Sequence, residues 1–206
     1  MDIRFSLSRS LNARDLRCPF PVQWNPCAGT HALAAEIGLR KAATGAAWSI
    51  PAETLFSISV EPGVQGCASG TLTLVSFVAS PSGEPDWMSL HHAFWNGTTP
   101  FGRALAQQMF ATPEYQWTLS EVLRVVGTDT RALQMRLFRE AYSFASALKR
   151  CRMLRLFLAA LSEDIPLPDF PASVQSRQKL DLKFKAAFQT RLTAFEQCRL
   201  PTGHAQ

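Results

Sequence analysis

Between Thr128 and Ser143 the chain reads TDTRALQMRLFREAYS, and its chemically capable residues recur at steps of three and four. At that spacing Arg131, Gln134, Met135 and Phe138 share one face of a helix, while Leu133 and Leu137 fall on the other. An arginine is a planar fork of donors and a glutamine both donates and accepts, so this face can pair with the edges of flat, polar ligands. In a groove of B-DNA, Arg suits guanine and Gln suits adenine, and an apolar side chain can meet a thymine methyl. Residues 131 to 155 also carry Arg131, Arg136, Arg139, Lys149, Arg150, Arg152 and Arg155 against the single acid Glu140. A basic block of that density points to a polyanionic partner, although a solvated helix surface carries the same charge.

The elements that must hold this face are legible around it. In TLSEVLRVVG, Thr118 can cap the first amides of a helix while Glu121 reaches back as a capping box, and Gly127 can take the left-handed conformation that ends it. The next helix follows at once with Thr130 as its expected N-cap, and helix, short glycine turn, helix is the helix-turn-helix arrangement. A longer helix is expected from Phe144 to Leu161, with an apolar seam at Phe144, Leu148, Cys151, Leu154, Leu158 and Leu161. Its basic stripe is Lys149, Arg152 and Arg155. Pro166, Pro168 and Pro171 forbid a continuous helix beyond it. A short helix is expected at 173–178, and a final one over 182–195, capped by Asp181, turns Phe184, Phe188 and Leu192 to one side.

Up to about residue 110 the period is different. EIGLRKA, AAWSI, LFSISV and TLTLVSFVA read as short strands, separated by Thr44-Gly45, Pro51 and the Glu61-Pro62-Gly63 turn. This half is expected to be a small β-sandwich or barrel-like unit. PSGEPDW at 81–87 reads as a loop, and residues 98–111 as a helix with Leu105 and Met109 one turn apart. The domain boundary is placed at Thr112-Pro113.

The chain has 206 residues with 47% hydrophobic content, enough for a sizeable core. Before residue 110, seven Lys/Arg face seven Asp/Glu; after it, fourteen face nine, so the whole net charge of +5 lies in the second half. The five cysteines, Cys18, Cys27, Cys67, Cys151 and Cys198, form no C-x-x-C pair and read as reduced, mostly buried thiols. A switch between Cys18 and Cys27 is the minor alternative. His91, His92 and Glu53 do not form a metal set, so neither metal nor cofactor is expected. The opening residues have no apolar core of leader length and LRLFLAAL is too short to cross a bilayer, so a cytoplasmic protein is expected. A nucleophile, base and orienter set and a glycine-rich phosphate loop are both missing, which argues against an enzyme.

Residues 117–161, WTLSEVLRVVGTDTRALQMRLFREAYSF followed by LKRCRMLRLFLAAL, resemble the DNA-binding region of the AraC/XylS class of bacterial transcription regulators. The shared pattern is a helix, Gly, a few polar residues, a recognition helix with Arg-x-Leu-Gln, and a Ser-Phe entry into a linking helix. The strand pattern around Trp48 to Gly63 similarly resembles the cupin-like sensor domain of that class. Met135 and Phe138 stand where the class favours cations, Ala141-Tyr142 replaces its glycine, and in the second motif Arg177-Gln178 and Phe195 replace Gly-Phe and a proline.

The resemblance implies an α+β protein, with a cupin-like β-rich sensor or dimerisation domain at 1–111. An all-α domain of two helix-turn-helix units, the second degenerate, would occupy 112–206. It implies sequence-specific DNA binding, with Arg131, Gln134, Met135 and Phe138 at bases. Thr118, Arg136, Arg139, Lys149 and Arg152 would lie at phosphates, with a weaker contribution from Lys183 and Lys185. Expected partners are double-stranded DNA, a second copy of the chain through the N-terminal half, and RNA polymerase. The alternative is an interaction module that has lost DNA binding.

Overall fold

Ile3, Phe5 and Leu7 alternate with Asp2, Arg4 and Ser6, and this period of two turns one side of the first strand to a core. The computed structural model describes residues 1–36, 38–42, 45–162 and 177–198. Its first half contains β1 (Asp2–Leu7), β2 (Leu11–Arg17), β3 (Val22–Ala28), β4 (Thr30–Ala35), β5 (Gly38–Ala42), β6 (Trp48–Ile50), β7 (Leu55–Glu61) and β8 (Ala68–Leu74). They form two antiparallel sheets, β1-β8-β3-β6 and β2-β7-β4-β5. The pairs β1/β8, β2/β7, β3/β6 and β4/β5 are nested, as in one long hairpin rolled over on itself. That is the jelly-roll arrangement, to which cupins belong.

Four of these strands, β1 to β4, precede the first strand expected from the sequence. The alternation of β2 is interrupted: Asp15 sits at φ +58° and the register slips between Ala13 and Leu16, so the inward residues are Leu11, Ala13 and Leu16. Strand β3 contains Pro26, beyond the part that pairs with β6. Between the sheets lie Ile3, Phe5, Trp24, Trp48 and Ile50 from one side and Leu33, Phe56, Ile58 and Val60 from the other. One imidazole is buried with them. Trp24 Nε1 donates to His31 Nδ1 at 3.0 Å, so Nδ1 is an acceptor, and His31 Nε2 donates to Ala28 O at 2.9 Å. The ring is therefore neutral, and burial pushes its pKa down.

Seven helices follow among the described residues: α1 (Trp87–Trp95), α2 (Phe101–Ala111), α3 (Leu119–Val126), α4 (Thr130–Arg139), α5 (Phe144–Leu161), α6 (Arg177–Phe188) and α7 (Leu192–Cys198). Helix α1 was not expected. Its start is fixed by Asp86, at the end of the expected loop, whose carboxylate accepts from Ser89 N at 2.9 Å and Ser89 Oγ at 2.6 Å. Helix α2 occupies Phe101–Ala111 of the helix expected over 98–111, starting three residues later, with Leu105 and Met109 fully buried.

Helix α5 has the expected limits and spans about 27 Å. Its C-terminal half is buried on all sides rather than along one seam, since Met153, Leu156, Phe157, Ala159 and Ala160 are also covered. Phe157 meets Phe184, Phe188 and Phe195 with ring centroids 5.3 to 6.3 Å apart, which fastens α6 and α7 to α5. The single helix expected over 182–195 is two, broken where Gln189 adopts φ +56°. Asp181 caps across the break instead: its Oδ1 accepts from Thr193 N at 3.2 Å in the first turn of α7. The three prolines and most of the short helix expected at 173–178 lie outside the described residues, as does Thr44; Arg177 and Gln178 open α6. No helix among the described residues is long and apolar enough to cross a membrane.

Candidate nucleic-acid interface

Short-range hydrogen bonds set the starts of α3 and α4, with the Gly127 turn between them. Thr118 Oγ1 accepts from Glu121 N at 3.2 Å and starts α3. The reciprocal half of the capping box is absent in this geometry, because Glu121 Oε1 accepts from the Tyr115 hydroxyl at 2.6 Å. That bond pushes the Tyr115 phenol up to about 12. Gly127 ends α3 at φ +65° and ψ +43°, a conformation that a Cβ penalises. Helix α4 is then capped by Asp129, not Thr130. Asp129 has extended backbone angles and its Oδ1 accepts from Ala132 N at 2.8 Å, whereas Thr130 is already helical.

Leu133 and Leu137 fix α4 to the core, at 0% and 3% exposure; each such burial is worth about 1.5 to 3 kcal/mol. This orientation leaves Arg131, Gln134, Met135, Phe138 and Arg139 outside. Met135 is 46% exposed and Phe138 77%. The helix closes with a Schellman motif, Ala141 N donating to Phe138 O at 3.0 Å and Tyr142 N to Leu137 O at 2.8 Å. Ala141 occupies the left-handed position at φ +56° without being glycine. An apolar groove of about 460 Å³ runs beside this end of α4, between Leu119, Phe138 and Phe144.

The structure separates the basic residues into two groups. Arg139, Lys149 and Arg124 are exposed, as is Thr118. Arg136 and Arg152, expected at phosphates, are engaged within the chain. Arg136 Nη1 donates to Phe94 O at 2.6 Å, its Nε lies 3.4 Å from Glu140 Oε1, and its guanidinium lies 5.1 Å from the Phe94 ring centre. Arg152 donates from Nε to Pro113 O and from Nη2 to Tyr115 O, both at 3.0 Å, and so holds the turn leading into α3. Arg155 is likewise folded inward, 5.3 Å from the Phe110 ring and 5.9 Å from that of Phe77. The stripe at steps of three on α5 is thus mostly a set of braces. On α6, Lys183 and Lys185 are exposed beside Leu182, which is 63% exposed.

Helices α1 and α2, which the sequence boundary leaves with the β half, pack against α3, α4 and α5. Gly102 N donates to Glu140 Oε2, and a Cβ on Gly102 would stand 2.4 Å from the Tyr142 ring, so only glycine lets α2 approach there. Helix α2 also reaches the sandwich, through Gln107 Nε2 to Pro19 O at 3.0 Å and Phe110 against Phe20 at 5.6 Å.

A charged cluster joins the two halves. Glu53 Oε2 lies 2.7 Å from Arg17 Nε and 3.0 Å from Arg150 Nη1, and Glu53 Oε1 accepts from Arg150 Nη2 at 3.2 Å. The Tyr142 ring lies 5.6 Å from the Arg17 guanidinium and 5.4 Å from that of Arg150. Burial, and then the Glu53 charge, push the Tyr142 phenol up. Nothing in the sequence pairs Glu53 with Arg150, because they are far apart along the chain. His91 and His92 are exposed on α1, away from this cluster. Cys18 and Cys151 are buried thiols pushed up to about 12 by burial, and Cys18, Cys27, Cys67 and Cys151 are all free.

An antiparallel jelly roll followed by helices makes a two-domain architecture. Solved structures of ToxT from Vibrio cholerae share it. An apo single-site variant superposes with a TM-score of 0.54 at 8% identity, covering 97% of each chain. A second crystal form gives 0.54 at 8% identity, over 96% of this chain and 98% of that one. A form bound to an unsaturated fatty acid gives 0.51 at 8% identity, over 100% and 97%. ToxT is an AraC-family regulator; at these identities the likeness is one of fold. No family model and no curated protein matches the sequence.

Proposed function

We propose that this chain is a transcription regulator that inserts α4 into the major groove of DNA. The observation that carries the reading is the outward face of α4. Arg131, Gln134, Met135 and Phe138 are all solvent-facing on a helix whose other side is anchored by Leu133 and Leu137, directly after a Gly127 turn. A helix presented in this way fits the groove, where Arg131 pairs with guanine and Gln134 with adenine while Met135 and Phe138 offer apolar contact. Phosphates are met by Thr118, Arg139 and Lys149, with Lys183 and Lys185 at the second motif. Arg136 and Arg152 support the geometry from inside. The reading unit begins at α1 in this proposal, because α1 and α2 brace α4.

One α4 reads only a few base pairs, so selection among genomic sites calls for two subunits, and the jelly roll is the part free to pair them. The cytoplasm and RNA polymerase belong to the same reading as the compartment and partner of a regulator. The interaction-module reading is favoured by a separate observation, the 77% exposure of Phe138 beside an apolar groove.

Enrichment of duplexes from a random-sequence pool by the full chain separates the two. On the enriched duplex Arg131→Ala or Gln134→Ala is expected to cost about 1 to 3 kcal/mol, with binding to random DNA almost unchanged. Failure of the wild-type chain to enrich any sequence would refute DNA reading and leave the interaction module.

A further inference from the structure

Trp95 is the last residue of α1 and lies outside the stretch whose pattern points to DNA. Its indole N–H is already used inside the chain, donating to Val126 O at 2.7 Å at the end of α3, yet the residue remains 54% exposed. With Phe94, Thr128, Ala132, Met135 and Arg139 it lines a groove of about 560 Å³ between α1 and α4. The Arg136 contacts to Phe94 tie α1 to α4 at this point, so the Trp95 ring and Met135 form one surface. Trp95, Met135 and Phe138 are three of the eight large apolar side chains exposed among the described residues, and all three stand around α4. Such clustering beside a binding face marks contact surface rather than scatter.

We propose that Trp95 is a specificity-determining contact: its indole edge packs on a thymine methyl at the flank of the bases read by α4. The proposal rests on the DNA reading of α4 given above. Charge selects the occupant of the groove. Arg124, Arg131 and Arg139 are exposed around the helix-turn-helix, whereas Asp129 is turned to Ala132 N and Glu140 to Arg136 and Gly102 N. A surface with free cations and occupied acids fits a polyanion. With its only donor spent, the indole offers apolar contact alone, and the apolar group on the major-groove edge of B-DNA is the thymine 5-methyl.

The test uses the full chain and the duplex it enriches from a random pool. Thymines are replaced one at a time by uracil, which removes only the methyl group, and dissociation constants are read by fluorescence anisotropy. For wild type and Trp95→Phe, one substitution outside the positions sensitive to Arg131→Ala and Gln134→Ala should weaken binding about fourfold, the worth of one buried methyl. Trp95→Ala should bind the parent duplex about fourfold more weakly and be insensitive to that same replacement. Trp95→Gln, whose amide can still donate to Val126 O, provides the same comparison if circular dichroism shows that the alanine variant has lost its fold. Overturning results are uracil replacements that cost Trp95→Ala, or Trp95→Gln in its place, as much as wild type, which would make Trp95 only a brace, and self-association lost on replacing Trp95, which would assign the groove to a second copy. If the wild-type chain enriches no duplex, the DNA reading falls and this contact with it; enrichment without a Trp95-dependent thymine removes this contact alone.

Discussion

Replacing Glu53 with Gln removes one negative charge from between two guanidiniums and keeps the side chain's size. The left-handed backbone at φ +65° is the same in both proteins, so its cost cancels. What changes is the compensation of Arg17 and Arg150. An exposed ion pair is worth about 0 to 1 kcal/mol, while removing one partner of a fully buried pair costs about 3 to 5 kcal/mol. Here the side chains are 15% (Glu53), 21% (Arg150) and 34% (Arg17) exposed, between those limits. The expected loss is about 2 kcal/mol, a fall of about 1 M in the urea midpoint for an m-value near 2 kcal/mol/M. Arg150→Met and the double variant complete a cycle: if the two groups act on each other, the double change costs less than the sum of the single ones. Because Tyr142 closes α4 and lies between the arginines, hydrogen exchange at the Ala141 and Tyr142 amides should quicken in Glu53→Gln ahead of the rest of the helices. A variant that unfolds at the wild-type midpoint, or a cycle with no coupling, would refute a role for the cluster in joining the halves.

Ala141→Gly should stabilise the chain by about 1 kcal/mol in the same urea titration, because glycine adopts φ +56° without the cost borne by alanine; a loss would show that the turn carries no strain. His31 is buried with its pKa depressed below the ordinary value near 6.5. The unfolded chain therefore takes up a proton first on acidification, and stability should be full above pH 6.5 and decline as the pH falls below it. His31→Phe should remove that part of the decline, as followed by the urea midpoint between pH 8 and 5. Lys149→Ala should lower the slope of log affinity against log salt by about one, whereas Arg152→Ala should cost folding stability and leave the slope unchanged.

The helical half was legible because its signals are local. Thr118, Gly127, Leu133, Leu137 and the full extent of α5 follow from spacing within a turn or two. Misplaced details were those in which a neighbour in space won over a neighbour in sequence. Glu121 turned to Tyr115 instead of its own cap, and Arg136 and Arg152 turned to carbonyls of other segments. The jelly roll was half legible. Strand β7 could be read from its alternation and β1, which alternates as cleanly, was missed all the same, while the Asp15 bulge hid β2 and Pro26 disguised β3. Glu53 and Trp95 could not be singled out, since their roles depend on partners in other elements that no periodicity indicates.

The nested pairing of the strands also imposes an order of assembly. Asp2 is opposite Thr73, whereas Ala35 is opposite Gly38 at the innermost hairpin. Closing a loop of some seventy residues costs more chain entropy than closing one of two, and non-local pairings of this kind slow folding. On a ribosome β4 and β5 can meet almost as soon as they emerge, while β1 has to wait for β8 with its apolar face of Ile3, Phe5 and Leu7 unsatisfied. Helix α5 packs on β1 and β2, so the helices find their seat only after the outermost strands have closed. During synthesis, the interval between the first and the eighth strand is when this chain is most exposed to aggregation and most in need of a chaperone.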